Sequence, residues 1–342
     1  MEKKHILIAL AAIMLVVGSI LTVLLLVSCS TNRDKEILSE LSGTVELNGS
    51  RVPVADSLMM GGFIVRCLDD NSAVIRYFGR PFILGYLSLN DCELKPLVYS
   101  GRGPGEMLEA SSISYTSVSG TGHRLVGMSD INMKKHIVLD VDASLASGSA
   151  SVVKDVSIPA NTFSVFPIPE GFLYKVKDKD GFSYMSELSG EDLHAVISLY
   201  PQSGAAKYYS YLEAADCISP DGSKVVMCMA CLNKIYIIDL AKGSITGVVT
   251  EREWKGRDDL QEAVRQSETG MEDHYMYACC DGDYIYALYN PGNELRVFDW
   301  KGNFINRIKL DHAAVSISIS PSRQLYATDM EEGLFRYDLS NL

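Results

Sequence analysis

One pattern limits what this chain can fold into more than any other: a short apolar run that ends in aspartate and is followed by a turn. His136-Ile137-Val138-Leu139-Asp140 is matched by Ile235-Tyr236-Ile237-Ile238-Asp239, and Leu295-Arg296-Val297-Phe298-Asp299 by Leu334-Phe335-Arg336-Tyr337-Asp338. Weaker copies end at Leu89-Asn90-Asp91 and at Leu199-Tyr200, where tyrosine stands in place of the acid. The six ends, at 91, 140, 200, 239, 299 and 338, lie 49, 60, 39, 60 and 39 residues apart. Repeats of roughly 40–50 residues, each with several short strands, mark a β-propeller.

The physics behind that reading is burial. A lone four-stranded blade leaves its faces in water, whereas blades stacked around an axis cover one another and leave only short edges. Short strands recur along the chain at Thr44–Leu47, Phe63–Leu68, Ala73–Phe78, Phe172–Val176, Lys224–Met229, Tyr284–Tyr289 and Gln324–Thr328. Turn signals such as Asp180-Gly181, Asp221-Gly222 and Pro291-Gly292 separate them. Helical patterning is confined to Asp258–Ser267, inside a longer gap between anchors, and reads as an insertion. The expected fold is therefore all-β, a six-bladed β-propeller with a short helical insertion over residues 43–342. The competing architecture is a large β-sandwich, which also spaces its strands evenly. Ring closure is expected from the early strand Thr44–Leu47, completing the last blade around Leu334–Leu339.

Ahead of the repeats, a basic start at Lys3 and Lys4 is followed by 22 uncharged residues, Ile6 to Val27. This is the layout of an export signal, although the run is long enough to span a bilayer as an uncleaved anchor. Leu26-Val27-Ser28-Cys29 resembles the bacterial lipobox, in which the peptide is cut before a cysteine that becomes acylated. The resemblance implies a signal peptide over 1–28, lipid attachment (diacylglycerol and palmitate) at Cys29, and a short tether over 29–42. Ser30 in place of aspartate after Cys29 suggests the bacterial outer membrane, facing either the periplasm or the surface.

Two further segments carry a family resemblance. Ser100-Gly101-Arg102-Gly103-Pro104-Gly105-Glu106 looks like a turn of NHL and TolB-like six-bladed propellers. Ser320-Pro321 with Gln324–Asp329 and Gly333–Leu339 is similar to the last blade of TolB-like propeller lipoproteins of Bacteroidetes. That family implies a six-bladed propeller, outer-membrane lipidation and no assigned chemistry.

Motifs that could carry chemistry have plainer accounts. Gly101–Gly105 is not a GxGxxG phosphate loop, because Glu106 falls where the third glycine belongs. It reads as a tight inter-blade turn, with Arg102 and Glu106 bridging neighbouring strands. Asp178-Lys179-Asp180-Gly181 lacks the later ligands of a calcium loop and reads as a hairpin turn. Beyond Cys29 there are seven cysteines, at 67, 92, 217, 228, 231, 279 and 280, so at least one is unpaired. Cys228-Met229-Ala230-Cys231 spans about 10 Å along a strand, too far for a disulfide, and reads as core packing. Cys279 and Cys280 should face opposite ways, and pairing between distant cysteines stays open.

The histidines at 5, 123, 136, 194, 274 and 312 are scattered singly, and neither HExxH nor GxSxG is present. Asp130, Asn132, Asp216, Asp273 and Asn290 could converge on a ring axis, although turn roles suit such residues better. The tyrosines at 208, 209, 211, 275, 277, 284, 286 and 289 suit packing between blades, or stacking on sugars or peptides if they lie in loops. A formal net charge of −12 opposes nucleic-acid binding. These features favour a binding scaffold for an envelope protein or glycan, without catalytic residues, metal or cofactor. The alternatives are a metal-dependent hydrolase or lactonase on the same ring, and a passive structural lipoprotein.

Overall fold

The computed structural model describes residues 35–36 and 43–341, apart from 111, 170, 179–180, 189–193, 200–212, 232, 250–273 and 332. Short elements come first: β1 (Lys35–Glu36), β2 (Val45–Leu47), β3 (Ser50–Arg51) and α1 (Asp56–Met59). Six sheets follow in chain order. Blade 1 is β4 (Gly62–Cys67), β5 (Ser72–Tyr77), β6 (Phe82–Ser88) and β7 (Leu94–Tyr99). Blade 2 is β8 (Ser112–Val118), β9 (Arg124–Asp130), β10 (Lys135–Asp140) and, after α2 (Val141–Ser147), β11 (Ser151–Ser157). Blade 3 is β12 (Thr162–Ile168), β13 (Gly171–Asp178), β14 (Gly181–Leu188) and β15 (His194–Leu199). Blade 4 is β16 (Ala214–Ile218), β17 (Lys224–Met229), β18 (Lys234–Asp239) and β19 (Ser244–Val249). Blade 5 is β20 (Tyr275–Cys280), β21 (Tyr284–Tyr289), β22 (Glu294–Asp299) and β23 (Phe304–Leu310). Blade 6 is β24 (Ala314–Ile319), β25 (Gln324–Asp329) and β26 (Leu334–Asp338), completed by β3.

The middle strands explain the long apolar runs of the sequence. All six residues of β5 are buried, and so are five of six in β17. Side chains alternate across a strand, so unbroken burial means that both faces are covered. Val226 packs toward blade 5 and Met227 toward blade 3. In β10, Val138 serves the interface with blade 3 and Leu139 the interface with blade 1. Six buried clusters result, one at each junction around the ring, including blade 6 against blade 1 through Tyr326 and Val65. That rotational arrangement sets aside the sandwich and bears out the six-bladed propeller.

The third strands end at Ser88, Asp140, Leu188, Asp239, Asp299 and Asp338. The anchor read at Tyr200 was therefore misplaced, since Leu199 closes the fourth strand of blade 3 rather than the third. The true third strand, Gly181–Leu188, ends without aspartate and so escapes the pattern. Where the aspartate is present it holds the following turn. Asp299 Oδ1 accepts from the Lys301 and Asn303 amides at 2.9 and 2.8 Å. Asp140 instead caps α2, accepting from the Ala143 amide at 2.8 Å, a helix the periodicity did not announce. The expected helix Asp258–Ser267 lies outside the described residues.

Closure also differs from expectation. The segment Val45–Leu47 pairs in parallel with β23 as a fifth strand of blade 5. Ser50–Arg51 is what completes blade 6, opposite Arg336 and Phe335 of β26. The chain crosses from one blade to the next at Gly49, where a Cβ would sit 2.6 Å from the Tyr337 ring. Only glycine passes there, and its amide donates to Asp311 at 3.0 Å. Val52 and Val54 then enter the junction between blades 6 and 1.

A charged staple ties blades 1 and 2. Arg124 of β9 donates to Asp69 at 3.1 Å and Ser72 at 2.7 Å in blade 1, and to Asp142 of α2 at 3.0 Å. Two predictions follow from these contacts. Deleting residues 43–54 removes two buried valines, at about 1.5–3 kcal/mol each. The melting temperature should then fall by about ten degrees or more, and an unchanged melting curve would refute closure through this segment. The second concerns pH. The bond from Arg124 holds the Asp142 carboxyl below its usual value of 3.8. Its stabilisation is thus present above that value and is lost as pH falls through the lowered one. Urea midpoints measured at pH values of about 5 and about 2 should show a wild-type loss that Arg124→Met reduces.

Candidate binding site in the axial channel

The first strand of every blade, β4, β8, β12, β16, β20 and β24, runs along the axis, and neighbours other than β12 and β16 pack side by side. Such a strand has one edge without a ladder partner, and its backbone groups still need hydrogen bonds. Side-chain hydroxyls from adjacent blades supply them. The Cys67 amide donates to Ser318 Oγ at 2.9 Å, while the Thr116 hydroxyl donates to the Cys67 carbonyl at 3.0 Å. The Val65 amide likewise donates to Ser316 Oγ at 3.2 Å. A polar axis is thus a consequence of ring geometry.

Where these strands finish, a cavity of about 550 Å³ opens, lined from all six blades by residues including Cys67, Thr116, Pro167, Ile218, Cys280 and Ser318. A second cavity of about 290 Å³ lies toward the strand starts, against Glu213, Ala230, Tyr275 and Tyr277. Arg66, Asp216 and Ala278 line both, which places them at the waist. The guanidinium of Arg66 lies 4.8 Å from the Tyr277 ring centroid and donates to the Ile317 carbonyl at 3.2 Å. No described acid forms an ion pair with it.

Asp216 is held differently. Its Oδ2 accepts from Lys175 Nζ at 2.8 Å and from Ser164 Oγ at 3.3 Å, with both charged side chains only 3% exposed. Among the described residues its Oδ1 has no hydrogen-bond partner, nor does the buried Tyr184 hydroxyl. Burial pushes the Asp216 carboxyl above its ordinary value, against the opposing pull of Lys175 and Ser164.

The wider mouth is rimmed by turns that brace one another. Asp70 accepts from the Ser320 hydroxyl at 2.7 Å and the Ser322 amide at 2.8 Å, joining blades 1 and 6. Arg323 reaches Asp281 at 3.3 Å and also Asp283, while lying over the Tyr284 ring. The mouth is therefore preformed.

The structure sorts the sequence candidates. Of the five acid and amide positions, Asp216 alone is seen on the axis. Asp130 is a turn residue, accepting from the Leu108, Glu109 and Met133 amides. Asn132 is exposed near Glu109, Asn290 sits in a turn before Pro291 with a cis peptide bond, and Asp273 lies outside the described residues. Glu106 does not bridge strands with Arg102. Its carboxylate folds inward and accepts from the Gly103 amide at 2.7 Å, while Arg102 is exposed. Asp178 and Gly181 are paired across a hairpin, in keeping with the turn reading.

Tyr275 and Tyr286 are buried between blades, whereas Tyr277 reaches the channel; Tyr208, Tyr209 and Tyr211 lie outside the described residues. Cys228 is core; Cys279 is buried between blades 5 and 6 and Cys280 is half-buried at the channel, in keeping with alternation along β20, although both touch the cavity. Ser129 Oγ lies 2.9 Å from His136 Nδ1, but both are buried within blade 2. Burial lowers the imidazole to about 3, leaving it neutral. Arg66 was missed altogether, because in sequence it is one more charge in a strand. A cation inside an otherwise apolar run was the available signal.

No protein-family model and no curated protein sequence matches the chain. Solved structures do. A protein described as exported, from Bacteroides fragilis, is 12% identical with a TM-score of 0.53, covering 86% of this chain and 99% of its own. A member of the DUF4221 family from Bacteroides vulgatus is 8% identical with a TM-score of 0.52, covering 82% and 92%. Regucalcin, a calcium-binding protein of Agrobacterium tumefaciens, is 14% identical with a TM-score of 0.51, covering 87% and 95%. At such identities the likeness is one of fold.

The buried pair at the waist is open to a direct test. Asp216→Asn removes the carboxylate charge that Lys175 meets at 2.8 Å in a buried site and should cost about 3–5 kcal/mol in urea unfolding. Lys175→Met combined with Asp216→Leu should recover most of that loss; equal losses in the single and double variants would contradict the pairing.

Proposed function

We propose that this chain is an exported, lipid-anchored propeller that acts as a binding scaffold in the cell envelope, with its ligand seated at the wider mouth of the axial channel. Arg66 carries the reading. It is a guanidinium with no described acid partner, lodged where two cavities meet and backed by an aromatic ring. Charge-assisted hydrogen bonds are the strong ones, and a desolvated site raises their worth. A polar or anionic group from a glycan or from an envelope protein suits this position.

Export is supported by the basic and apolar start of the chain and by the fold shared with Bacteroides propellers, one of them described as exported. No described helix is long and apolar enough to cross a membrane. On this reading residues 1–28 are the signal peptide, Cys29 carries the lipid and holds the chain on the outer membrane, 29–42 form the tether, and 43–342 form a propeller of the TolB-like or NHL-like kind. The hydrolase alternative has less behind it. Among the described residues no group of three or more His, Cys, Asp or Glu is placed to hold a metal ion. Calcium binding therefore stays with the regucalcin neighbour.

A photoreactive residue at Ser117, on the mouth, should cross-link a ligand in intact cells, and one at Val153, on the outer strand of blade 2, should not. Arg66→Ala should lower the Ser117 yield about tenfold, the order expected for one charge-assisted contact. Cross-linking from Val153 alone would sink the proposed site. Cys29→Ala should release the protein from membranes or leave the precursor uncut; normal cleavage with unchanged attachment would contradict the anchor.

A further inference from the structure

The channel wall holds a feature that the binding role does not use. Cys217 of β16 and Cys280 of β20 belong to adjacent blades, on inner strands that pack against each other. Burial, and then the neighbouring Cys280 thiol, push the Cys217 thiol up. Cys280 Sγ also donates across the junction to the carbonyl of Ile218, the residue after Cys217, at 3.0 Å. Both cysteines are partly exposed and both line the larger cavity, so a small reagent entering the mouth reaches them. Neighbouring Cys279 points into the buried core between blades 5 and 6, and Cys228 into the core between blades 4 and 5. Cys67 and Cys279 also touch this cavity but are buried, so the pair is set apart by its exposure.

We propose that Cys217 and Cys280 form an oxidisable pair, which a low-molecular-weight disulfide converts to a disulfide bond joining blades 4 and 5 at the channel wall. The chemistry is ordinary exchange. The Cys280 thiolate attacks one sulfur of the reagent, forms a mixed disulfide and expels a thiolate. Cys217 then gives up its proton and attacks the Cys280 sulfur, which forms the 217–280 bond and expels the second thiolate. Two protein thiols are oxidised, one reagent disulfide is reduced to two thiols, and the two protons released by the protein end on those thiols. Burial pushes the Cys217 thiol up, which disfavours it as the first attacking group; in the second step its proximity to the mixed disulfide offsets that penalty. An S–S bond is about 2.05 Å long, so side-chain rotation must close the remaining gap between the two sulfurs. The cross-link would pin two neighbouring strands whose free edges face the axis.

The experiment uses the full-length protein in detergent, reduced and then incubated with bis(2-hydroxyethyl) disulfide, quenched in acid, alkylated and digested. Mass spectrometry with fragmentation should find the peptides holding residues 217 and 280 joined, with the loss of two hydrogens and of alkylation at both sites together. Cys279→Ser should retain the link and Cys280→Ser should abolish it. Full alkylation of both cysteines after oxidation would overturn the proposal, as would a link that survives in Cys280→Ser. Fragmentation of the wild-type peptide assigns the bonded sulfur even where a variant folds poorly. The readout does not depend on any ligand, so its failure and the failure of the binding role are distinguishable.

Discussion

Face-to-face apolar packing between neighbouring blades is the interaction on which everything else depends. Each blade exposes two hydrophobic faces, and a strand such as β17, Lys224-Val225-Val226-Met227-Cys228-Met229, is buried along nearly its whole length because both faces find a neighbour. Such a blade has no stable existence alone. The chain must therefore return on itself, and the junction of blade 6 with blade 1 must be as well packed as the rest. Val52, Val54 and Met59, brought in by the N-terminal segment, fill that last junction.

The polar axis follows from the same ring. Strands that face outward are paired by the next strand in the blade, but the innermost strand has no partner on its channel side. Hydroxyls from Ser316, Ser318 and Thr116 stand in for the missing ladder. Once the axis is polar, a guanidinium such as Arg66 can reside there with its charge toward a cavity rather than in a core. The ion pair of Asp216 with Lys175 is the more buried counterpart, and breaking it is costly because both charges lie out of water. The binding role thus draws on a feature that the architecture generates in any case.

Much of this was legible in the primary structure. Lys224–Met229 and Tyr284–Tyr289 coincide with β17 and β21, and the other strands are displaced by no more than two residues at either end. Those segments read clearly because middle strands, covered on both sides, must be apolar throughout. Blade 3 read poorly because its third strand, Gly-Phe-Ser-Tyr-Met-Ser-Glu-Leu, mixes polar with apolar residues and lacks the terminal aspartate. The site was harder still. Asp130 and Asp216 look alike in one dimension, yet one holds a turn and the other sits on the axis. Nothing local to either residue tells them apart.

Hydrophobic period, turn residues and the spacing of the aspartate anchors determined, without any coordinates, an all-β chain of repeated short strands, for which blades around an axis were the favoured arrangement. Those are local properties, set by which side chains a covered strand tolerates and which residues hold a tight turn. The tertiary structure alone decided that Ser50–Arg51 rather than Val45–Leu47 completes the last blade, that Arg66 occupies the waist, and that Cys217 and Cys280 line one channel. Each of these depends on distances between residues far apart in the chain. Such distances are fixed only when all the blade interfaces are satisfied together.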